Sequence, residues 1–418
     1  MTKFDVLFKY FGYTSFRSAQ ETLIDAQLSG RDVLGVMPTG AGKSICFQIP
    51  ALMLPGATLV ISPLISLMKD QVTALRHGDV PAAFINSSLT AEQYREVLRR
   101  VGQGRYKIIY VAPERLETAD FLRFALETPI SLVAVDEAHC VSQWGQDFRP
   151  SYLRIAAFIE KLRARPVVAA FTATATADVK KDIMRLLGLR DPLSLTTGFD
   201  RPNLYFGVVR PKNKSMHFHE LIARRAGMCG IVYCATRKAV DAVCAELRRR
   251  GVSASRYHAG LEDVERRLNQ DDFIQNRVSV MAATNAFGMG IDKPDVRYVI
   301  HYNLPKNLEG YYQEAGRAGR DGRPSDCILL FESDDIRTAE YLIRDSGNNA
   351  ELTERERRAV NRRDADRLDQ MIRYCEIDSC LRSYILRYFG EKQKGACGNC
   401  SNCNRPSLWS RLRGKQRW

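Results

Sequence analysis

DVLGVMPTGAGKSICFQI, Asp32 to Ile49, is the stretch from which the fold is read. The apolar run VLGV reads as a buried strand, MPTGAGKS (Met37 to Ser44) as a glycine-rich loop, and the amphipathic segment beginning ICFQI as a helix. Strand, glycine loop and helix in this order make a phosphate cradle. Backbone amides face the anion, Gly40 and Gly42 permit close approach, Lys43 supplies charge for the outer phosphates, and Ser44 offers a hydroxyl to magnesium. Together with Thr39 these residues form the expected nucleotide-binding set.

Further along, the run SLVAV delivers Asp136 and Glu137 of DEAHCVSQWGQDFRPSYLR (Asp136 to Arg154) to the carboxyl end of a strand, where open α/β sheets place their ligands. Two adjacent carboxylates suit two jobs: Asp136 holds magnesium through water, and Glu137 polarises the water that attacks the terminal phosphate of ATP. Alone, the same letters suit an exposed acidic turn, and the phosphate loop upstream is what decides between the two. The stretch runs on into aromatics and arginine. Trp144, Phe148 and Tyr152 are able to stack on bases at roughly 1 to 3 kcal/mol each, a term that unpaired strands offer and duplex largely hides, although any one of them taken singly better suits a packed core. A third element, QEAGRAGRDG (Gln313 to Gly322), lies far enough away to imply a second lobe. Arg317 and Arg320 are three apart, which on a helix puts both on one face, where a nucleotide in a cleft between lobes would meet them; by themselves they would read as a solvated basic face.

The ordered trio resembles the superfamily-two helicases, and more narrowly the RecQ family of DNA helicases, from about Leu7 to Cys403. The phosphate loop, with Met37 where the generic pattern has glycine, matches the helicase-type version. FGYTSFRSAQ (Phe11 to Gln20) is similar to the family's adenine-reading motif, which implies that Tyr13 stacks on the base and that Arg17 and Gln20 contact the nucleotide. SPLISLMKDQV, YVAPERL, FTATAT, IVYCATRKAVD, YHAGL and TNAFGMGIDKPDVRYVIHYNLP follow in family order. SQWGQDFRPSY resembles the aromatic-rich loop that couples DNA binding to ATP hydrolysis, which gives Trp144, Phe148 and Arg149 a DNA-contacting role. His139 would sense the phosphate region and relay its state to Thr172 and Thr174. The family usually has histidine where Gln146 stands, which bears on the strength of that coupling.

Composition agrees with a nucleic-acid enzyme. At about 150 residues per domain, 418 residues give about two to three domains, and a formal charge of +14 points to an anionic partner, weakly, since basic proteins without nucleic acid are common. Runs DVLGV, TLVIS, KIIYVAP, SLVAV and VVAAF alternate with helix-like segments to about Gly198; GFDRPNLYF reads as a linker; GIVYC, SASRYHA, VSVMAAT, VRYVIHY and DCILLF then repeat the alternation to about Glu332. The expected class is α/β: two parallel-sheet lobes, recombinase-like by the resemblance, at residues 1–200 and 201–338, a small helical zinc-binding module at 339–404, and a basic tail at 405–418. The charge-dense stretch from Glu351 to Arg373 reads as a helical hairpin with solvated faces.

Of the 11 cysteines, most, such as Cys46, Cys234 and Cys327, sit at core-like positions. Cys397, Cys400 and Cys403, written CGNCSNC, are spaced for one soft cation, and zinc wants four ligands in a closed site, against the rival readings of a redox pair or an iron–sulfur cluster. Cys380 is the favoured fourth, both because SYILRYFGEK reads as a helix and turn that returns the chain and because the RecQ pattern has its remote cysteine there; Cys375 is the alternative. Leu381 stands where the family more often has the first of two arginines. His217 and His219 of MHFH have no further ligand cluster near them and suit surface or capping roles. The uncharged stretch from Ser44 to Met68 is broken by Pro50, Pro55, Gly56 and Pro63, and no leader precedes it, so the reading is intracellular, in the cytoplasm or nucleoid if bacterial. Fifteen residues follow Cys403, with Trp409 and Trp418 among them; the reading expects no winged-helix wedge and hence weak duplex grip.

The resemblance implies an ATP-dependent DNA helicase of recombination and repair, a monomer using ATP, magnesium and zinc, moving 3′ to 5′ on single-stranded DNA and opening tailed duplexes. An RNA remodeller with the same lobes and a nucleic-acid-binding scaffold with a vestigial ATPase are the rivals, separable by strand-dependent ATPase on DNA and RNA.

Overall fold

The computed structural model describes residues 1–63, 65–145, 148–287, 293–346, 353–392 and 395–404. Gln146, the segment 288–292 within the GMGID letters, and the basic tail with Trp409 and Trp418 lie outside the described residues. The chain divides into two compact units, Met1–Gly198 and Phe199–Trp418. Among the described residues no helix is long and apolar enough to cross a membrane.

In the first unit α1 (Lys3–Phe11) and α2 (Ser18–Leu28) precede β1 (Val33–Val36), and α3 (Lys43–Met53), β2 (Ala57–Ile61), α4 (Ile65–His77), β3 (Ala82–Ile85), α5 (Ala91–Gly102), β4 (Ile108–Val111), α6 (Ala119–Glu127), β5 (Ile130–Val135), α7 (Arg154–Lys161), β6 (Val167–Thr172), α8 (Ala177–Leu186) and β7 (Leu193–Thr196) follow. The sheet is parallel, in the order β3-β4-β2-β5-β6-β1-β7. Helices cover both faces of such a sheet, so its inner strands are buried almost throughout and read as apolar runs, completely so in β1, β2 and β4. The two strands that the sequence reading omits, β3 and β7, are the sheet's edges. β7, Leu-Ser-Leu-Thr, alternates half-buried with exposed residues and so lacks that signature.

The second unit places β8 (Leu204–Val209), α9 (Lys214–Ala223), β9 (Gly230–Tyr233), α10 (Arg237–Arg249), β10 (Ala254–Tyr257), α11 (Asp263–Ile274), β11 (Val280–Ala283), β12 (Tyr298–His301), α12 (Leu308–Ala315) and β13 (Ser325–Leu330) before the helices α13 (Ser333–Ser346), α14 (Glu354–Glu376) and α15 (Leu381–Tyr388). Its parallel sheet runs β10-β11-β9-β12-β13-β8. Two expectations are corrected here. Leu204–Phe206, read as part of a linker, begins β8, which pairs with β13 from Leu204↔Ser325 to Val209↔Leu330; its buried Leu204 and Phe206 alternate with Tyr205, too short a pattern to recognise beside Pro202. The charged stretch, read as a hairpin with solvated faces, is from Glu354 on a single helix of 23 residues, α14, which runs to Glu376. Nor is it wholly solvated: Arg363 and Arg367 are buried, and Arg367 Nε lies 3.6 Å from Glu309 Oε1. Long arginine stems bury readily where a carboxylate meets the head.

Candidate functional site

Parallel strands send their carboxyl ends one way, so the sequence β5-β6-β1 in the first sheet sets the acidic box, FTATAT and the glycine loop side by side. The Met37 amide donates to the Thr172 carbonyl at 2.9 Å, fastening the start of the loop to the end of β6. Gly42, the N-cap of α3, has φ of +80°, and a Cβ there would stand 2.3 Å from Gln20 Nε2. The positive φ requires glycine, and a side chain there would also displace the Gln20 amide. Buried Gln20 donates from Nε2 to the carbonyls of Ala41 (3.2 Å) and Gly42 (3.1 Å), while its Oε1 accepts the Arg17 amide at 2.9 Å. Arg17 Nη1 donates to the Gly40 carbonyl at 2.5 Å. Arg17 and Gln20 therefore brace three successive loop carbonyls, and Tyr13 stands exposed nearby in the chain. Lys43 Nζ donates to the Met37 carbonyl at 3.3 Å, near the outer limit for such a bond, so its ammonium is weakly held above the loop. Thr39 and Ser44 are partly buried at the loop's middle and at the first turn of α3. Amides at a helix N-terminus, two glycines at positive φ and a loosely held lysine fit a nucleotide triphosphate.

β5 delivers Asp136, whose amide donates to the Ile61 carbonyl at 2.9 Å. Glu137 follows in the left-handed region (φ 47°, ψ 47°), which costs a side-chain-bearing residue on the order of 1–3 kcal/mol and persists where the surroundings over-determine it. This turn brings Glu137 Oε2 to 3.3 Å from Nδ1 of buried His139, which is also 2.8 Å from Thr172 Oγ1. Thr172 Oγ1 also lies 3.0 Å from the Thr174 carbonyl, so one hydroxyl joins His139 to the backbone of the next residue but one. Burial and the Glu137 charge, opposed by the Lys43 ammonium, push Asp136 up to about 7. A divalent cation would relieve exactly that crowding of negative charge, so the residues present fit magnesium.

The aromatic loop folds back on this box. The Arg149 amide donates to the Cys140 carbonyl at 3.0 Å, and Arg149 Nη1 to the Pro63 carbonyl at 3.0 Å. Gly145 packs so closely that a Cβ would stand 2.0 Å from the His139 carbonyl oxygen. Trp144 is 57% exposed, whereas Phe148 and Arg149 are partly buried. Tyr152, read as a third stacking aromatic, is instead wholly buried and donates its hydroxyl to the Asp136 carbonyl at 3.0 Å. It closes the loop onto the metal-side residue, a contact visible only in three dimensions.

In the second unit, α12 ends at Ala315, so Arg317 and Arg320 are not on a helix but in the turn after it. Arg317 N donates to Glu314 O (3.2 Å) and Ala318 N to Ala315 O (3.1 Å), but Gly319 follows at φ +56° with its amide on the Val296 carbonyl, so this three-residue repeat ends before Arg320. Arg317 is buried and hydrogen-bonds the Tyr233 phenol; Arg320 is partly buried.

Cys380, Cys397, Cys400 and Cys403 bring their sulfurs within 4.8 Å of one another. Cys397 Sγ and Cys403 Sγ are 3.9 Å apart, and tetrahedral zinc with bonds of about 2.3 Å separates sulfurs by about 3.8 Å. Backbone amides donate to three of them: Ser383 to Cys380 (3.5 Å), Asn399 to Cys397 (3.3 Å) and Cys403 to Cys400 (3.4 Å). Burial takes the Cys397 thiol up to about 12; against burial, hydrogen bonds from Ser383 bring Cys380 down to about 6. Four crowded thiols ionise together only around a cation, so the set fits zinc. Cys375, the alternative fourth ligand, is buried apart from this cluster. The knuckle also covers the free edge of β8: Cys400 bridges Phe206, the Ser401 amide donates to the Phe206 carbonyl (2.9 Å), and Asn399 Nδ2 to the Pro202 carbonyl (3.0 Å). Arg382, which stands at the second position of the arginine pair after Cys380, is buried over the Phe206 ring and binds Asp200 Oδ1 (2.6 Å) and the carbonyls of Arg201 (2.6 Å) and Leu204. His217 and His219 lie on α9 beside Glu220 and Glu246, at 3.8 and 3.5 Å.

Comparison with known proteins matches the DEAD/DEAH box helicase family at residues 17–182, the helicase conserved C-terminal domain at 213–322 and the RecQ zinc-binding domain at 333–404. The chain is 47% identical over 399 residues to the ATP-dependent DNA helicase RecQ of Bacillus subtilis, covering 95% of this chain and 66% of that one. It is 43% identical over 356 residues to the probable ATP-dependent DNA helicase RecS of the same species, covering 84% of this chain and 71% of that one. It thus spans a little under two thirds of the RecQ relative's length. Among solved structures, the DUF1998 helicase MrfA bound to DNA has the same fold, with a TM-score of 0.68 at 18% identity over 80% of this chain and 51% of that one.

Proposed function

This chain belongs to the RecQ family of helicases, and from that premise we propose that it is an ATP-dependent DNA helicase of recombination and repair, moving 3′ to 5′ on a single strand and separating duplex ahead of it. The observation that carries the reading is the continuity of the fuel site with the aromatic loop. One segment holds Asp136, Glu137 and His139, then an exposed Trp144, and it is closed by Gly145 against the His139 carbonyl and by Tyr152 against the Asp136 carbonyl. A base stacked on Trp144 therefore pushes on the backbone that holds Glu137.

In this reading Tyr13 stacks on adenine, Arg17 and Gln20 keep the loop shaped for the nucleotide, and Thr39, Gly40, Gly42, Lys43 and Ser44 hold its phosphates. Asp136 holds magnesium, which when bound neutralises phosphate charge. Glu137 orients and deprotonates the attacking water, and His139 reports the state of the site to Thr172 and Thr174. Arg317 and Arg320 balance charge that develops on the transferred phosphoryl group. Phe148 and Arg149 flank Trp144 at the strand. Zinc, held by four thiolates with no open position, is structural and belongs to the third domain, residues 339–404, after lobes at 1–200 and 201–338. The protein works inside the cell, where its DNA is, and as a monomer; the direction of travel is taken from the family.

The test is ATPase with single-stranded DNA, single-stranded RNA or neither, followed by unwinding of 3′-tailed and 5′-tailed duplexes. Stimulation by DNA over RNA and opening of the 3′-tailed substrate are expected. Equal stimulation by RNA would replace the reading with an RNA remodeller, and the absence of strand-dependent turnover would replace it with a binding scaffold.

A further inference from the structure

We propose that Asp182 on α8 is a positioning residue for the aromatic loop, acting through the hydroxyl of Ser142; the inference rests on the reading that this loop couples strand binding to hydrolysis. Ser142 is fully buried and is the last such residue before the exposed turn of the loop. Its hydroxyl donates to Asp182 Oδ2 at 2.7 Å and accepts the Trp144 amide at 3.0 Å, while its carbonyl accepts the Gly145 amide at 2.8 Å. The first is a charge-assisted bond, stronger than a neutral one. It points the hydroxyl proton at α8, and so presents the oxygen lone pair to the backbone of Trp144.

The place of α8 in the chain gives that bond its reach. The helix starts at Ala177, directly after the segment in which Thr172 hydrogen-bonds both His139 and Thr174. The acidic box and the aromatic loop are thus tied to one β6–α8 segment at two points: His139 to Thr172, and Ser142 to Asp182. Base stacking that displaces the Trp144 backbone loads the second tie, and a change at the phosphate loads the first. Asp182 is well suited to this role, and its loss leaves α8 itself intact. Its carboxylate is 17% exposed, its other partner is the outward-facing Arg185 (2.8 Å), and alanine in its place favours the helix.

The test uses the whole chain with Asp182→Ala, Asp182→Asn, Ser142→Ala and the Ser142→Ala/Asp182→Ala pair, and Arg185→Ala as control. Basal and strand-stimulated ATPase, half-saturating strand concentration and thermal unfolding are measured. Loss of a charge-assisted bond of this kind should raise the half-saturating concentration of single-stranded DNA about tenfold in Asp182→Ala, with basal turnover unchanged and the unfolding midpoint lowered by no more than a few degrees. Ser142→Ala should match it, the pair should be no worse than either single change, and Asp182→Asn, which keeps an acceptor for the hydroxyl, should restore the response. Arg185→Ala should behave as the parent. Normal stimulation in Asp182→Ala, or additive losses in the pair, would overturn the inference while leaving the loop's coupling role intact. A parent protein that strand does not stimulate would instead sink the functional reading, and this inference with it.

Discussion

At pH 8 the Asp136 carboxyl is ionised beside the Glu137 carboxylate, in a site where burial and that neighbour hold its pKa near 7. A carboxyl whose folded pKa lies above its ordinary value of 3.8 binds its proton more tightly in the folded chain, so stability falls as pH rises from about 4 to about 7 and is flat above that. Asp136→Asn should therefore stabilise the ligand-free protein by more than about 1 kcal/mol at pH 8, roughly 2–4 °C in the midpoint of the first unit, and the gain should shrink toward pH 4. ATPase should be lost throughout. A calorimetric gain that did not depend on pH would show that the charge conflict at Asp136 is not its source. Glu137→Gln tests the neighbouring role: turnover should collapse by at least about a hundredfold with nucleotide binding kept, whereas Lys43→Ala should lose both, as turnover and equilibrium binding measured together would show. At this scale the sequence is most legible where chemistry requires a residue type at fixed spacing, as with Gly42, Lys43 and Asp136. It is silent on Tyr152, whose hydroxyl serves the Asp136 carbonyl, because an aromatic sixteen positions on carries no mark of which way it points.

Elements were legible in proportion to their burial. The inner strands announce themselves as apolar runs; the edge strands β7 and β8 do not, and Arg317 and Arg320 lie in the turn after α12, with Gly319 at φ +56° between them, where a helix was expected. The aromatic loop and the zinc knuckle share a feature no local pattern reveals: each is held by contacts to a distant backbone. For the loop, Trp144→Ala removes the stacking surface and Gly145→Ala forces a methyl onto the His139 carbonyl. The first should weaken single-strand binding by roughly 1–3 kcal/mol, and the second should leave binding nearer normal while flattening the ATPase response to strand. If Gly145→Ala responded as the parent does, the loop would not transmit through His139. For the knuckle, Cys397→Ser or chelation should free the edge of β8 and expose residues 380–404 to proteolysis, with about one zinc per chain in the parent by metal analysis. Iron with visible absorbance in its place would contradict the assignment.

At the scale of the whole molecule, charge and stacking make separable demands on a strand. In the proposed function the formal charge of +14 would act through phosphates and be answered by salt; a ring on a base would not. If about four phosphates are neutralised, raising monovalent salt fourfold should weaken single-strand binding about fiftyfold, because the logarithm of affinity falls by about 0.7 per phosphate per decade of salt. Trp144→Ala should lower affinity by the same factor at every salt concentration and leave that slope untouched. Replacing a phosphate-contacting lysine or arginine should reduce the slope itself by about 0.7. Plotting affinity against salt for the parent and for Trp144→Ala therefore separates the two contributions in one experiment. Parallel lines place Trp144 at the bases; converging lines would mean that its loss rearranges basic contacts, and a flat parent line would remove phosphate binding from the proposed interaction with a strand.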